Sequence, residues 1–474
     1  MATLLIGGAV ITVDAQRRVL DPGAVAVKGD SIVAVSTPAE LREQFPGAEE
    51  IDLRNAAILP GLVDSHGHAG HGLTKALGDG ANDWLDLVAE IYFRQSDTEF
   101  WRAESYLSAL EHIEYGVTTS LSMTGSMPRV DDPKYAIAAS RGYADLGLRH
   151  IVALGPPSTP WPAVYRDLET GQEISVDLDH MMDTVGAVID ELNGSANGRL
   201  SVHVGPSYLV PDLTPEGKAT PESVAMLRAV HEMAEQRVVC IHAHAFAGQV
   251  RAARDAYPDI LSPTLTLAHC AGISLEEVQI MAEYGVNATH GPLTHAYAEA
   301  RFPLIEALEA GVNVLISTDG SGPDRSFDLL SQGRIAAQLQ RAYFADTSIL
   351  PAGKILEMMT IDAARALGLD GQIGSLEAGK KADIIAVDLR SARMGPRFMP
   401  LERVVFVGSG LDVDFVMVDG KILKRDHQIL GVDVDTILDD ADRAGRLAYE
   451  RAGVLDRATS HPSTWGNVRY QPVG

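Results

Sequence analysis

Histidines separated by a single residue occur twice, as His66-Gly67-His68 and His242-Ala243-His244, and single histidines follow at His269 and His290, ahead of Asp319. Imidazole nitrogens and a carboxylate together form the usual ligand set of divalent first-row metals, and three imidazoles with one carboxylate favour zinc. A divalent ion held this way would lower the pKa of bound water toward ~7 and so provide a hydroxide nucleophile at neutral pH. Asp319 would both touch the ion and accept the water proton. A lone His-x-His pair says little in a chain with 15 histidines. The weight of the argument lies in the elements that must carry these residues.

Eight short β-rich runs recur along the middle of the chain: Ile58–His66, Val117–Met123, Arg149–Pro156, Leu200–Pro206, Val238–His244, Leu265–His269, Val286–His290 and Val312–Asp319. Each is followed by a stretch of helical character, which implies parallel pairing through right-handed crossovers and a TIM-like (β/α)8 barrel. The competing open, doubly wound sheet lacks its GxGxxG after an early strand. One helix is readable in detail: Ser274 followed by Glu277 forms a capping box, and Gly285 stops the helix. His66 and His68 fall at the end of the first run, His242 and His244 at the end of the fifth, and His269, His290 and Asp319 at the ends of the sixth, seventh and eighth. In a barrel these ends meet at one mouth, and residues two apart on a strand share a face.

Outside the barrel, β-rich stretches at residues 3–13, 23–35 and 49–60 match others at 379–389 and 411–423. They predict one small β-sandwich built from both ends of the chain. The expected division is 1–57 and 371–430 for the sandwich, 58–370 for the barrel, and 431–474 for a C-terminal helix and tail. The net charge of −25 over 474 residues argues against nucleic-acid binding. Cys240 and Cys270 are too few for a disulfide framework and read as reduced, buried thiols. No leader pattern and no run of ~20 apolar residues is present, so a soluble cytoplasmic protein that meets no membrane is expected.

Several stretches make the sequence recognisable: residues 59–68 (Leu-Pro-Gly-Leu-Val-Asp-Ser-His-Gly-His), the later histidines, Ser317-Thr318-Asp319-Gly320, and residues 374–383 (Gly-Ser-Leu-Glu-Ala-Gly-Lys-Lys-Ala-Asp). The sequence resembles the amidohydrolase superfamily, and within it the branch of triazine chlorohydrolases, cytosine deaminases and guanine deaminases. That resemblance implies metal ligation by His66, His68, His244 and Asp319, with His269 polarising the substrate and the attacking water. His242 would be a deeper pocket residue, or would replace His244 if the strand register differed by one pleat. A homodimer or larger homo-oligomer is implied as well.

Two departures from the family pattern shape the functional expectation. Relatives that deaminate carry a proton-shuttling glutamate three residues after the fifth-strand ligand, where this chain has Ala247. Such a carboxylate typically supplies ~10²–10⁴-fold. Binuclear relatives carry a lysine on the fourth strand, and residues 200–207 contain none. One divalent ion is therefore expected; a second would fall to His269 and His290. The expected reaction is hydrolysis of an amide, urea or carbamate C–N bond in a small, mostly uncharged aromatic or heterocyclic molecule, with His269 and Asp319 as the catalytic groups. Dechlorination or deamination of a triazine or other N-heterocycle is the alternative. A non-catalytic scaffold would be expected to have lost ligands that are all present here. Trp84, Met123, Tyr208, Phe246, His290 and Ser321 are the candidate substrate contacts, with Tyr92, Phe93 and Trp161 further aromatic candidates. Arg129 and Arg325 read as solvated charges, and His71 and His295 are left undecided near the mouth.

Overall fold

The computed structural model describes residues 2–77, 84–123, 129–294, 300–459 and 465–466. Eight strands, β1 (Leu62–His68), β2 (Val117–Met123), β3 (Arg149–Leu154), β4 (Leu200–Val204), β5 (Ile241–Phe246), β6 (Leu265–Ala271), β7 (Asn287–His290) and β8 (Val314–Ile316), pair in chain order in one sheet. All seven pairings are parallel. Strands β2 and β6 are buried along their whole length, as expected where one face fills a barrel interior and the other meets helices. A helix follows every strand, from Thr98–Glu114 after β1 to Leu329–Phe344 after β8. Side-chain caps start many of them, including the capping box of Ser274 and Glu277 on the helix Leu275–Tyr284. The segment after β8 closes the barrel against β1: Thr318 N–H donates to Asp64 Oδ1 at 3.1 Å, and Asp319 N–H donates to the His66 carbonyl at 3.0 Å.

Most strands differ from the expected runs at one or both limits, and three of the differences have a clear cause. Residues Ile58–Pro60 end a strand of the other sheet, Glu49–Pro60, and β1 begins only after Gly61. A Cβ at Gly61 would lie 2.1 Å from Thr118 Oγ1, so the chain can turn from one sheet into the other only with glycine there. Val238 caps the preceding helix in the left-handed region (φ 54°), so β5 starts at Ile241. Strand β8 ends at Ile316 because Asp319 turns out of the sheet with φ 61°.

The second sheet has nine largely antiparallel strands. N-terminal Thr3–Ile11 pairs in parallel with Glu49–Pro60, and C-terminal Ile384–Asp388 pairs antiparallel with the end of that same strand. Both ends of the chain thus share one small core containing Leu5, Val25, Ile58, Ile384 and Phe415. The buried guanidinium of Arg149, at the start of β3, ties this sheet to the barrel: its Nε donates to Asp383 Oδ2 at 2.6 Å, and its Nη2 meets Asp419. A short hairpin, Ala163–Arg166 with Glu173–Val176, was not anticipated from the sequence. The C-terminal helix Val434–Ala452 lies beside the mouth loops, where Tyr449 donates to the Leu73 carbonyl. No helix among the described residues is long and apolar enough to cross a membrane.

Candidate metal centre

Alternation along β1 sends His66 and His68 to one side, and a register irregularity between Asp64 and Gly67 loosens the ladder at that point. His244 is set by a neighbour: the segment after β4 pairs with it, its Nδ1–H donates to the Ser207 carbonyl, and its own carbonyl accepts from Leu209 N–H at 2.8 Å. With the proton on Nδ1, the lone pair of Nε2 is left facing inward. His269 and Asp319 are re-aimed by left-handed backbone, at φ 65° and 61°. Such conformations persist only where the surrounding structure enforces them.

One donor atom each from His66, His68, His244 and Asp319 comes together, all within 4.8 Å of one another, and all four residues are buried. Asp319 Oδ1 lies 3.0 Å from His66 Nε2 and 3.2 Å from His68 Nε2, and the Nε2 atoms of His68 and His244 are 3.4 Å apart. The rings of His71, His68, His244 and His269 stack in series, 4.9, 5.2 and 4.9 Å between successive centroids. His66 stands edge-on to His68, His244 and His269. His269 lies next to the four-donor group, with Nε2 3.8 Å from Asp319 Oδ1.

Between the alternatives His242 and His244, it is His244 that contributes to the group. His242 sits behind His66, with His242 Nε2 2.8 Å from His66 Nδ1. His66 presents Nε2 to the group when its Nδ1–H donates to His242.

Burial holds His66 at about 3 and keeps His242 and His244 well below the usual imidazole range, so all three are neutral and have lone pairs to donate. Burial works against ionisation of Asp319, but Arg325, His269, His66 and His68 together override it and hold the carboxyl well below its usual range. Imidazoles around one carboxylate, buried and converging, fit a divalent cation by ligand chemistry.

The expected substrate contacts are placed unevenly. Tyr208 and Phe246 are partly exposed at the rim, each 5.9 Å, centroid to centroid, from a mouth imidazole (His244 and His269 respectively). Trp84 is buried, with its Nε1–H donating to the Thr74 carbonyl and its ring edge-on to His71. Met123 is fully buried at the end of β2, and His290 is buried at the end of β7 against Phe302. Ser321 is buried, and its hydroxyl has no hydrogen-bond partner among the described residues. Tyr92 packs against Trp101, with its hydroxyl 3.2 Å from Thr74 Oγ1 in the loop after β1, Phe93 packs against Tyr165, and Trp161 donates to the Pro157 carbonyl. His295 lies outside the described residues.

Neither arginine is a solvated charge. Arg129 is fully buried and bonds to Asp131, Tyr135 and the carbonyls of Tyr92, Ser96 and Arg166, which organises the loops behind the mouth. The side chain of Arg325 is buried against Asp319. Thr294, Ser207 and His71 complete the surroundings. Ser207 and Thr294 carried no sequence signal, because their contributions are a backbone carbonyl and a single hydroxyl.

Comparison with known proteins agrees with this architecture. The model of the amidohydrolase family matches residues 57–423. A 5-methylthioadenosine/S-adenosylhomocysteine deaminase of Moorella thermoacetica is 30% identical over 438 residues, 88% of this chain and 94% of that protein. A 5'-deoxyadenosine deaminase of Methanosarcina mazei is 28% identical, covering 95% of this chain and 99% of its own. Among solved structures, an adenosine deaminase from Xanthomonas campestris with bound zinc superposes with a TM-score of 0.80 at 23% identity, over 95% of this chain and 98% of that one. An atrazine chlorohydrolase from Arthrobacter aurescens complexed with zinc gives 0.77 at 24% identity, over 94% and 100%. At such identities the structures speak for the fold, and the family match, covering most of the chain, speaks for descent: this protein belongs to the amidohydrolase family.

Proposed function

We propose that the protein uses one divalent cation, zinc, held by His66, His68, His244 and Asp319, to hydrolyse a C–N bond of amide, urea or carbamate type in a small, mostly uncharged aromatic or heterocyclic molecule. The observation that carries this is the convergence of four buried donor atoms within 4.8 Å, with His269 adjoining but outside the set. When bound, the ion would supply Lewis acidity and make water in the mouth acidic enough to lose a proton near neutral pH. His269, with Nε2 3.8 Å from Asp319 Oδ1, would hold a proton and hydrogen-bond the group under attack. Asp319 contributes Oδ1 and shares the proton transfer with His269. Tyr208 and Phe246 offer an apolar rim to a flat substrate, with Trp84, Met123, His290 and Ser321 shaping the walls behind. The acidic chain disfavours anionic substrates at long range. A cytoplasmic homodimer or larger homo-oligomer completes the reading.

A second reading is deamination or dechlorination of an N-heterocycle, favoured by the names of the relatives and opposed by Ala247, which stands where a shuttle carboxylate would be needed. Two measurements test both readings. Metal analysis of the purified protein, with His68→Ala as control, should give one zinc per chain and a variant without activity. A panel of ureas, anilides, carbamates, triazines and aminopurines, read for amine, ammonia and chloride, should give amine from an amide-like substrate. Activity of the metal-free protein would overturn the first reading, and ammonia from an aminopurine, or chloride from a chlorotriazine, as the chief product would establish the second.

A further inference from the structure

The two oxygens of Asp319 have different surroundings. Oδ1 faces His66 and His68, whereas Oδ2 accepts from Thr294 Oγ1 at 2.8 Å and lies 3.2 Å from Arg325 Nη2. Arg325 Nη1 donates to the same Thr294 hydroxyl at 3.3 Å, and Nη2 also reaches the carbonyls of Asp319 (3.3 Å) and Gly322. The Arg325 side chain is only 4% exposed. A planar, permanently charged guanidinium bound to a carboxylate, a hydroxyl and two carbonyls has little freedom to move. Gly291 permits the arrangement, since a Cβ there would lie 3.0 Å from Thr294 Oγ1 and 3.2 Å from Asp319 Cβ.

We propose that Arg325, acting with Thr294, is a positioning residue that fixes Asp319 as a one-oxygen metal ligand, with Oδ1 presented and Oδ2 withheld. The inference rests on the metal reading above and specifies how its carboxylate ligand is controlled. An aspartate free to swing can offer both oxygens and fill the position that water and substrate need; anchoring Oδ2 keeps that position open.

The test uses the full chain stripped of metal by a chelator. Zinc affinity is measured by competition with a chromophoric chelator, and Co²⁺ is added as a spectroscopic probe of coordination number. Arg325→Gln should weaken zinc binding by ~10–100-fold, the usual effect of losing a group that orients a ligand. Thr294→Val should weaken it less. Arg325→Lys should recover part of the loss, because an ammonium restores the charge without the fork. In Arg325→Gln the visible Co²⁺ band should lose intensity as the released Oδ2 raises the coordination number, a change that loss of stability alone would not produce. The proposal is overturned if Arg325→Gln and Thr294→Val both bind zinc within about twofold of the parent with an unchanged Co²⁺ band. If Arg325→Gln does not fold, Arg325→Lys and Thr294→Val decide by the same criteria. His68→Ala separates the two failures: undiminished zinc affinity in that variant would remove the metal site itself.

Discussion

Glu104 sits on the inner face of the helix Thr98–Glu114, fully buried under the loop that follows His68. Ser108 Oγ donates to its Oε1 at 2.5 Å, the amides of Gly70 and Gly72 lie close by, and Oε2 has no hydrogen-bond partner among the described residues. Burial outweighs these contacts and pushes the carboxyl from 4.5 to about 7. A shift of that size corresponds to roughly 3 kcal/mol of stability difference between the two protonation states. The folded pKa is raised, so the contribution is present in full below 4.5 and is lost as pH rises through about 7. Glu104→Gln keeps the shape and removes the titration. Urea midpoints of the metal-free protein and the variant, measured from about pH 5 to pH 9, should show the variant gaining on the parent by about 2–3 kcal/mol across that range. Any constant cost of the amide cancels in this double difference, as do the other buried carboxyls. Two profiles that run parallel would refute the argument that an uncompensated carboxylate lies beneath the mouth loop.

Two further outcomes follow from the mouth. Gly320→Ala places a Cβ 2.4 Å from His71 Nδ1 on a backbone with φ 81°, so it should lower the melting temperature and reduce zinc content, read by calorimetry and metal analysis on one preparation. Ala247→Glu supplies the carboxylate that relatives use to shuttle protons, and ammonia release from aminopurines should rise by about tenfold or more; no change would mean that the carboxylate is not what limits deamination.

Much of the site was legible in the sequence because it depends on local periodicity. His-x-His pairs at the ends of β-rich runs share a face whatever the rest of the fold does, and alternation of strand and helix leaves few ways to bring those ends together. The choice between His242 and His244 was not local. It depends on the segment after β4 pairing with His244 and on His66 occupying the space in front of His242. The limits of β1 were hidden for a similar reason: residues 49–60 continue the same apolar pattern, and only the clash a side chain at Gly61 would make with Thr118 shows where one sheet stops.

The sequence by itself determined the barrel, the second sheet built from both chain ends, and the set of imidazoles and carboxylate available for chemistry, because strand periodicity and residue type are properties of the chain. The tertiary structure alone decided what each group faces. Arg325, which read as a solvated charge six residues after Asp319, has its side chain buried against that carboxylate, and Thr294, without any sequence signal, shares the same oxygen. Partners of this kind come from the loops after β7 and β8, whose approach is set by barrel closure and not by any pattern along the chain.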